Sequence, residues 1–159
     1  MIQEFSTVVN AAPTGKKASI RALQAWQYLI GKAYNRQTIR YPDLAGLMEY
    51  KDNRPLTPIL GHIMFFCAEN NLPPLTILVV NVDGTPGAGF TDADPDDFHR
   101  ERERVFNFDW FGLVPPTIEE FKQAWKNAKQ ASSKSSGRLR AAAADFRRHA
   151  YFQLIIFNS

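Results

Sequence analysis

The sequence predicts a small α+β domain in which three helices lead into a short β-wing, followed by a helical C-terminal extension. Three observations carry that expectation. Apolar residues recur at three- and four-residue steps between Lys16 and Asn35. A second, almost wholly apolar stretch from Pro58 to Asn70 opens behind a Thr-Pro pair. A β-branched run from Leu75 to Val82 then closes on Asp83-Gly84.

At 159 residues the chain suits one domain with a real core. Its single cysteine excludes a disulfide framework and a cysteine-rich zinc site. The longest apolar runs, Ile63 to Ala68 and Leu154 to Phe157, are too short to cross a bilayer. Met1 to Asn10 carries no basic start followed by an apolar stretch, so a cytoplasmic protein without a secretory leader is expected.

Each element has its own signals. Residues 1–15 read as a flexible N-terminus. In the first helix Ile20, Leu23, Trp26, Leu29 and Ala33 form the apolar face, with Lys17, Arg21, Gln24 and Lys32 elsewhere. Gln37 to Arg40 is short and extended. Tyr41-Pro42-Asp43 opens a second helix with Leu44, Leu47 and Met48 as its stripe, because proline fits a first turn and aspartate its positive end. Lys51 to Pro55 is a polar loop. Thr57 is the expected cap of the apolar helix, which Asn70-Asn71 and Pro73-Pro74 stop. Gly84 to Phe90 reads as a wing turn. A charged helix near Asp97–Phe106 follows, then the aromatic landmarks Phe106, Phe108, Trp110 and Phe111. Thr117-Ile118-Glu119-Glu120 is a capping box for a helix to about Gln130. The expected organisation is a domain over 16–112, a capping helix over 113–130, and a basic segment over 131–159. Its four-alanine run and change of style from Arg138 make non-native origin an open alternative for that end.

The net charge of +3 conceals segregation. Residues 1–70 hold eight basic against five acidic side chains, residues 71–120 three against ten, and residues 121–159 eight against one. A basic C-terminal block has the electrostatic footprint of a polyanion binder, or of a tail that folds onto the acidic middle.

Candidate chemistry is sparse. Pro42-Asp43 with Glu49-Tyr50-Lys51 has the letters of a metal nuclease, but acids six residues apart on one helix lie on different faces. Asp92, Asp94, Asp96 and Glu103 match calcium-loop positions, yet the required glycine is Asp97 and Pro95 lies inside the loop. His62, His99 and His149 lack ligand spacing. No phosphate-cradling glycine loop or serine elbow occurs. No cofactor and no metal are expected.

The element order, together with particular residues, carries a resemblance. Thr38 to Ala45, Leu60-Gly61-His62, Asn70 followed by prolines, Val79 to Gly84 and Gly87 to Phe90 resemble the winged-helix DNA-binding domain of alkylguanine-DNA alkyltransferases and alkyltransferase-like proteins over about residues 17–90. The resemblance implies a winged-helix-like fold. It argues against alkyl transfer, because the stretch corresponding to the family's Pro-Cys-His-Arg motif reads Leu75 to Asn81, and the intercalating arginine is replaced near Thr57-Pro58-Ile59. Cys67 sits instead in the apolar helix. That helix offers base edges only His62, Glu69 and Asn70, so it is a poor groove reader and is expected to be covered on both faces, with the acidic helix and aromatic cluster after residue 95 available as cover.

The function expected is therefore non-catalytic association with nucleic acid through Lys16, Lys17, Arg21, Arg36, Arg40, Tyr41, Lys51 and Arg54, outside the apolar helix. The alternative is a protein-interaction or self-associating module, such as a bacterial or phage accessory protein. An enzyme assembled from Tyr41, Asn70, Asn81 and His62 stands as a third possibility. No membrane contact is expected.

Overall fold

The computed structural model describes residues 2–12 and 17–135. The chain divides into two units, Met1–Trp125 and Lys126–Ser159. The first holds α1 (Phe5–Ala11), α2 (Lys17–Tyr34), β1 (Ile39–Arg40), α3 (Tyr41–Leu47), α4 (Leu56–Glu69), a 3-10 turn (Leu75–Leu78), β2 (Val79–Val80), a second 3-10 turn (Pro95–Asp97) and α5 (Phe98–Asn107). A last helix, α6, begins at 118, and helical residues continue to 135. The molecule is thus mixed α+β with very little strand. β1 and β2 pair in parallel, Ile39 opposite Val79 and Arg40 opposite Val80. A parallel pair needs a long crossover, and α3 and α4 supply it.

α2 and α4 form the centre and pack against each other. Ala22, Ala25 and Ala33 let α4 approach, while Trp26 and Leu29 fill the space between. Trp26 meets Phe66 edge-on at 5.6 Å and Trp110 at 5.5 Å, with Phe121 tilted at 5.8 Å. Such pairs each contribute about 0.5–1.5 kcal/mol beyond their burial. The indole N–H of Trp110 donates to the Val105 carbonyl at 2.7 Å, which satisfies the polar atom of that buried ring.

Three helices end alike. Arg36, Glu49 and Asn71 have φ of 54°, 62° and 53°, the left-handed conformation usually given to glycine. After each, one N–H reaches back five residues, Gln37 to Lys32, Tyr50 to Ala45 and Leu72 to Cys67, all at 2.9 Å. These bonds satisfy carbonyls that the helix ends would otherwise orphan.

Several expectations are corrected. The N-terminal segment expected to be flexible contains α1, whose Val9 is buried and which packs on α2. α4 starts at Leu56, behind Pro55, and Pro55 rather than Thr57 occupies the cap position. The run Leu75–Val82 is not one strand. Its first four residues form a 3-10 turn, with the Ile77 N–H bonding Pro74 O at 2.9 Å, and only Val79–Val80 is strand. Every residue from Leu75 to Val80 is buried, so no alternation distinguished strand from turn. After β2 the chain returns by a single isolated bridge, Val80 opposite Pro86. Residues 131–135, read as linker, are helical. The expected helix and strand between Arg138 and Phe157 lie outside the described residues.

The capping box forms as expected. The Thr117 N–H donates to Glu120 Oε2 at 2.7 Å, and the Glu120 N–H donates to Thr117 Oγ1 at 3.2 Å.

Candidate functional site

α4 is covered on two sides. Against its outer face lies Trp125, stacked flat on the His62 ring at 4.7 Å and tilted against Phe65 at 5.7 Å. Gly61 makes that approach possible, since a Cβ there would run into the Trp125 ring. The cover comes from α6, whereas α5 packs on α2 and the first 3-10 turn. His62 is buried and faces Pro58 O through its Nδ1, a core histidine rather than a presented one. The face that a groove reader would need is therefore used internally.

Beside α4 opens a cleft of about 300 Å³. Its walls come from the start of α3 (Tyr41), the Asn53 loop, one side of α4 (Thr57, Leu60, Gly61, Met64), the 3-10 turn (Thr76), Asn81 and the Gly87–Phe90 segment. The volume is at the lower end of small-ligand pockets, roughly 300–1,000 Å³, and suits one ring system. None of these side chains carries a charge. Tyr41 accepts a hydrogen bond from the Gly87 N–H at 3.2 Å, which keeps its own hydroxyl proton for donation. Burial pushes the Tyr41 hydroxyl above its ordinary pKa against the lowering effect of that bond, so it stays neutral. A Cβ at Gly87 would strike the Tyr41 hydroxyl and ring, so a side chain there would displace Tyr41. Asn81 Nδ2 donates to Pro86 O at 3.3 Å and ties the turn to the wall. α5 holds the same segment from behind, through Arg102 donating to Gly84 O at 3.0 Å and Phe98 edge-on to Phe90 at 5.7 Å.

The residues expected to meet nucleic acid separate into groups. Lys16 lies outside the described residues. Arg21 is 6% exposed, donates to Gln24 Oε1 at 2.6 Å and sits over the Tyr50 ring, so its guanidinium belongs to the packing of α2. Arg36 pairs with Glu103 at 2.6 Å and lies over Phe106, and Arg54 pairs with Asp52 at 2.6 Å. Lys17, Arg40 and Lys51 are exposed and make no ion pair among the described residues. Tyr41 is in the cleft. Two of the free cations flank cleft residues along the chain: Arg40 precedes Tyr41, and Lys51 belongs to the loop of Asn53. Arg40 also lines a neighbouring groove of about 370 Å³ with Lys32 and Thr38, which shares Asn81 with the cleft.

Of the enzyme constellation, Tyr41 and Asn81 do meet in the cleft. Asn70 instead bonds Phe66 O at 2.9 Å, and His62 stacks on Trp125. Cys67 is fully buried, and burial pushes its thiol up to about 12 against a main-chain hydrogen bond from Leu75. It holds its proton at neutral pH and has no access to a substrate. Sequence reasoning missed Thr76. The available signal was a lone hydroxyl in an otherwise apolar run.

Comparison of the chain with protein-family models, curated proteins and solved structures returns no match.

Proposed function

We propose that this chain is a non-catalytic, winged-helix-like protein that associates with nucleic acid and receives one unstacked base in the cleft beside α4. The observation that carries this reading is the placement of unpaired cations next to an uncharged cleft. Tyr41, Asn53, Asn81 and the apolar side of α4 suit a neutral heterocycle, and no cation lines the cleft to select an anion. Arg40 and Lys51 stand beside cleft residues in the chain and are available to phosphates. Arg21 leaves the expected set, and Arg36 and Arg54 contribute less because each already faces a carboxylate. The buried thiol of Cys67 gives no route to alkyl transfer through that residue.

Fluorescence anisotropy tests the reading. A duplex carrying one unpaired base is expected to bind more tightly than the fully paired duplex, and Arg40→Glu with Lys51→Glu is expected to weaken both by about tenfold or more at low salt. Equal affinity for the two duplexes removes the base-holding role. Affinity unchanged by charge reversal removes the interface.

The second reading, a protein-interaction module, is favoured by Tyr34 and Phe111. These rings are 74% and 62% exposed and lie edge-on at 5.7 Å. A concentration-dependent dimer in sedimentation that Tyr34→Ala with Phe111→Ala abolishes would support it.

A further inference from the structure

One group in the cleft is left unsatisfied by the fold. Thr76 is 5% exposed and lines the cleft from the 3-10 turn, yet its Oγ1 is closed to solvent and has no hydrogen-bond partner among the described residues. Its neighbours Leu75, Ile77, Leu78 and Val79 are fully buried and apolar, so valine would serve the packing equally well. The interior makes no use of the hydroxyl. Two polar side chains of the cleft already have main-chain partners, Tyr41 with the Gly87 N–H and Asn81 with Pro86 O. Rotation about the threonine Cα–Cβ bond carries the hydroxyl among three staggered positions, with the methyl and hydrogen moving round with it.

We propose that Thr76 is the recognition group of the cleft: as a base enters, its hydroxyl turns to the base's edge and forms there the hydrogen bond that the empty protein lacks. The proposal rests on the reading of the cleft as a base site. A hydroxyl both donates and accepts, so it suits the edge of any base. Its selectivity is against a ring of the same shape that offers no hydrogen-bonding edge, because such a ring leaves the hydroxyl unpaired.

The test compares three duplexes that differ at one position opposite an abasic site: thymine, its apolar isostere difluorotoluene, or a second abasic residue. The full chain is expected to bind the thymine duplex about tenfold more tightly than the difluorotoluene duplex. Thr76→Val is expected to bring that ratio near one without weakening binding of the isostere, and Thr76→Ser to preserve it. Thermal unfolding should show Thr76→Val melting no lower than the parent, which separates lost recognition from lost fold. A ratio that survives in Thr76→Val, or that is absent from the parent while thymine is still distinguished from the abasic residue, overturns the role of Thr76 alone. Equal binding of the thymine and doubly abasic duplexes overturns it together with the reading of the cleft.

Discussion

Thr76 and Cys67 are neighbours in burial but opposite in their accounting. The Thr76 hydroxyl is buried with no partner among the described residues, so Thr76→Val is expected to stabilise the free protein by about 1 kcal/mol, read as a rise in urea midpoint at unchanged slope. Loss of base discrimination in a more stable variant would mark a polar group kept for binding. The Cys67 thiol has its proton held in the fold up to about 12, whereas the unfolded chain releases it near the ordinary 9.0. Its contribution to stability is therefore complete below pH 9.0 and lost as pH rises through the folded value. Between pH 8 and pH 11 the parent should lose more unfolding free energy than Cys67→Ala, measured by denaturant titration at both pH values. Equal losses would contradict the burial that raises the thiol.

At the scale of elements, α4 is the informative case. Its composition pointed to cover on both faces, and cover on both faces is found, but by α2 and Trp125 of α6. Gly61 sets the distance of that second contact. Gly61→Val is expected to push Trp125 off α4, costing about 1–3 kcal/mol and shifting tryptophan emission to the red. An unshifted spectrum with unchanged stability would show that the ring does not depend on this glycine. The capping box of α6 is legible from Thr117 and Glu120 alone, because its bonds run between residues three apart. The left-handed ends at Arg36 and Glu49 were not, since neither is the glycine or asparagine usual there, whereas Asn71 marks the end of α4 in the sequence.

For the whole molecule, the relevant question is which exposed cations among the described residues are already paired. Lys17, Arg40 and Lys51 make no ion pair among the described residues, while Arg36, Arg54, Arg100 and Arg104 face carboxylates. If Arg40 contacts a phosphate, Arg40→Gln is expected to reduce the slope of log affinity against log salt by about 0.9, measured by anisotropy across a salt series. A slope identical to the parent's would exclude that contact. Net charge says little here; the pairing pattern decides.

What the sequence determined by itself was local or periodic. α2, α3 and α5 follow from apolar spacing, from proline and aspartate at a first turn, and from charge alternation. The absence of a usable thiol was equally visible, because Cys67 falls in an apolar run without a supporting motif. Tyr41 stands out in the sequence, but its partner Gly87 lies 46 residues away. Only the tertiary structure decided that Leu75–Leu78 turns as a 3-10 segment, that Arg21 is internal while Arg40 is exposed, and that Thr76, Asn53 and Gly87 border one cleft. The physical reason is common to all three. A fully buried run has no polar face to reveal its period, and a side chain's partner is chosen by packing between distant segments rather than by its neighbours in the chain.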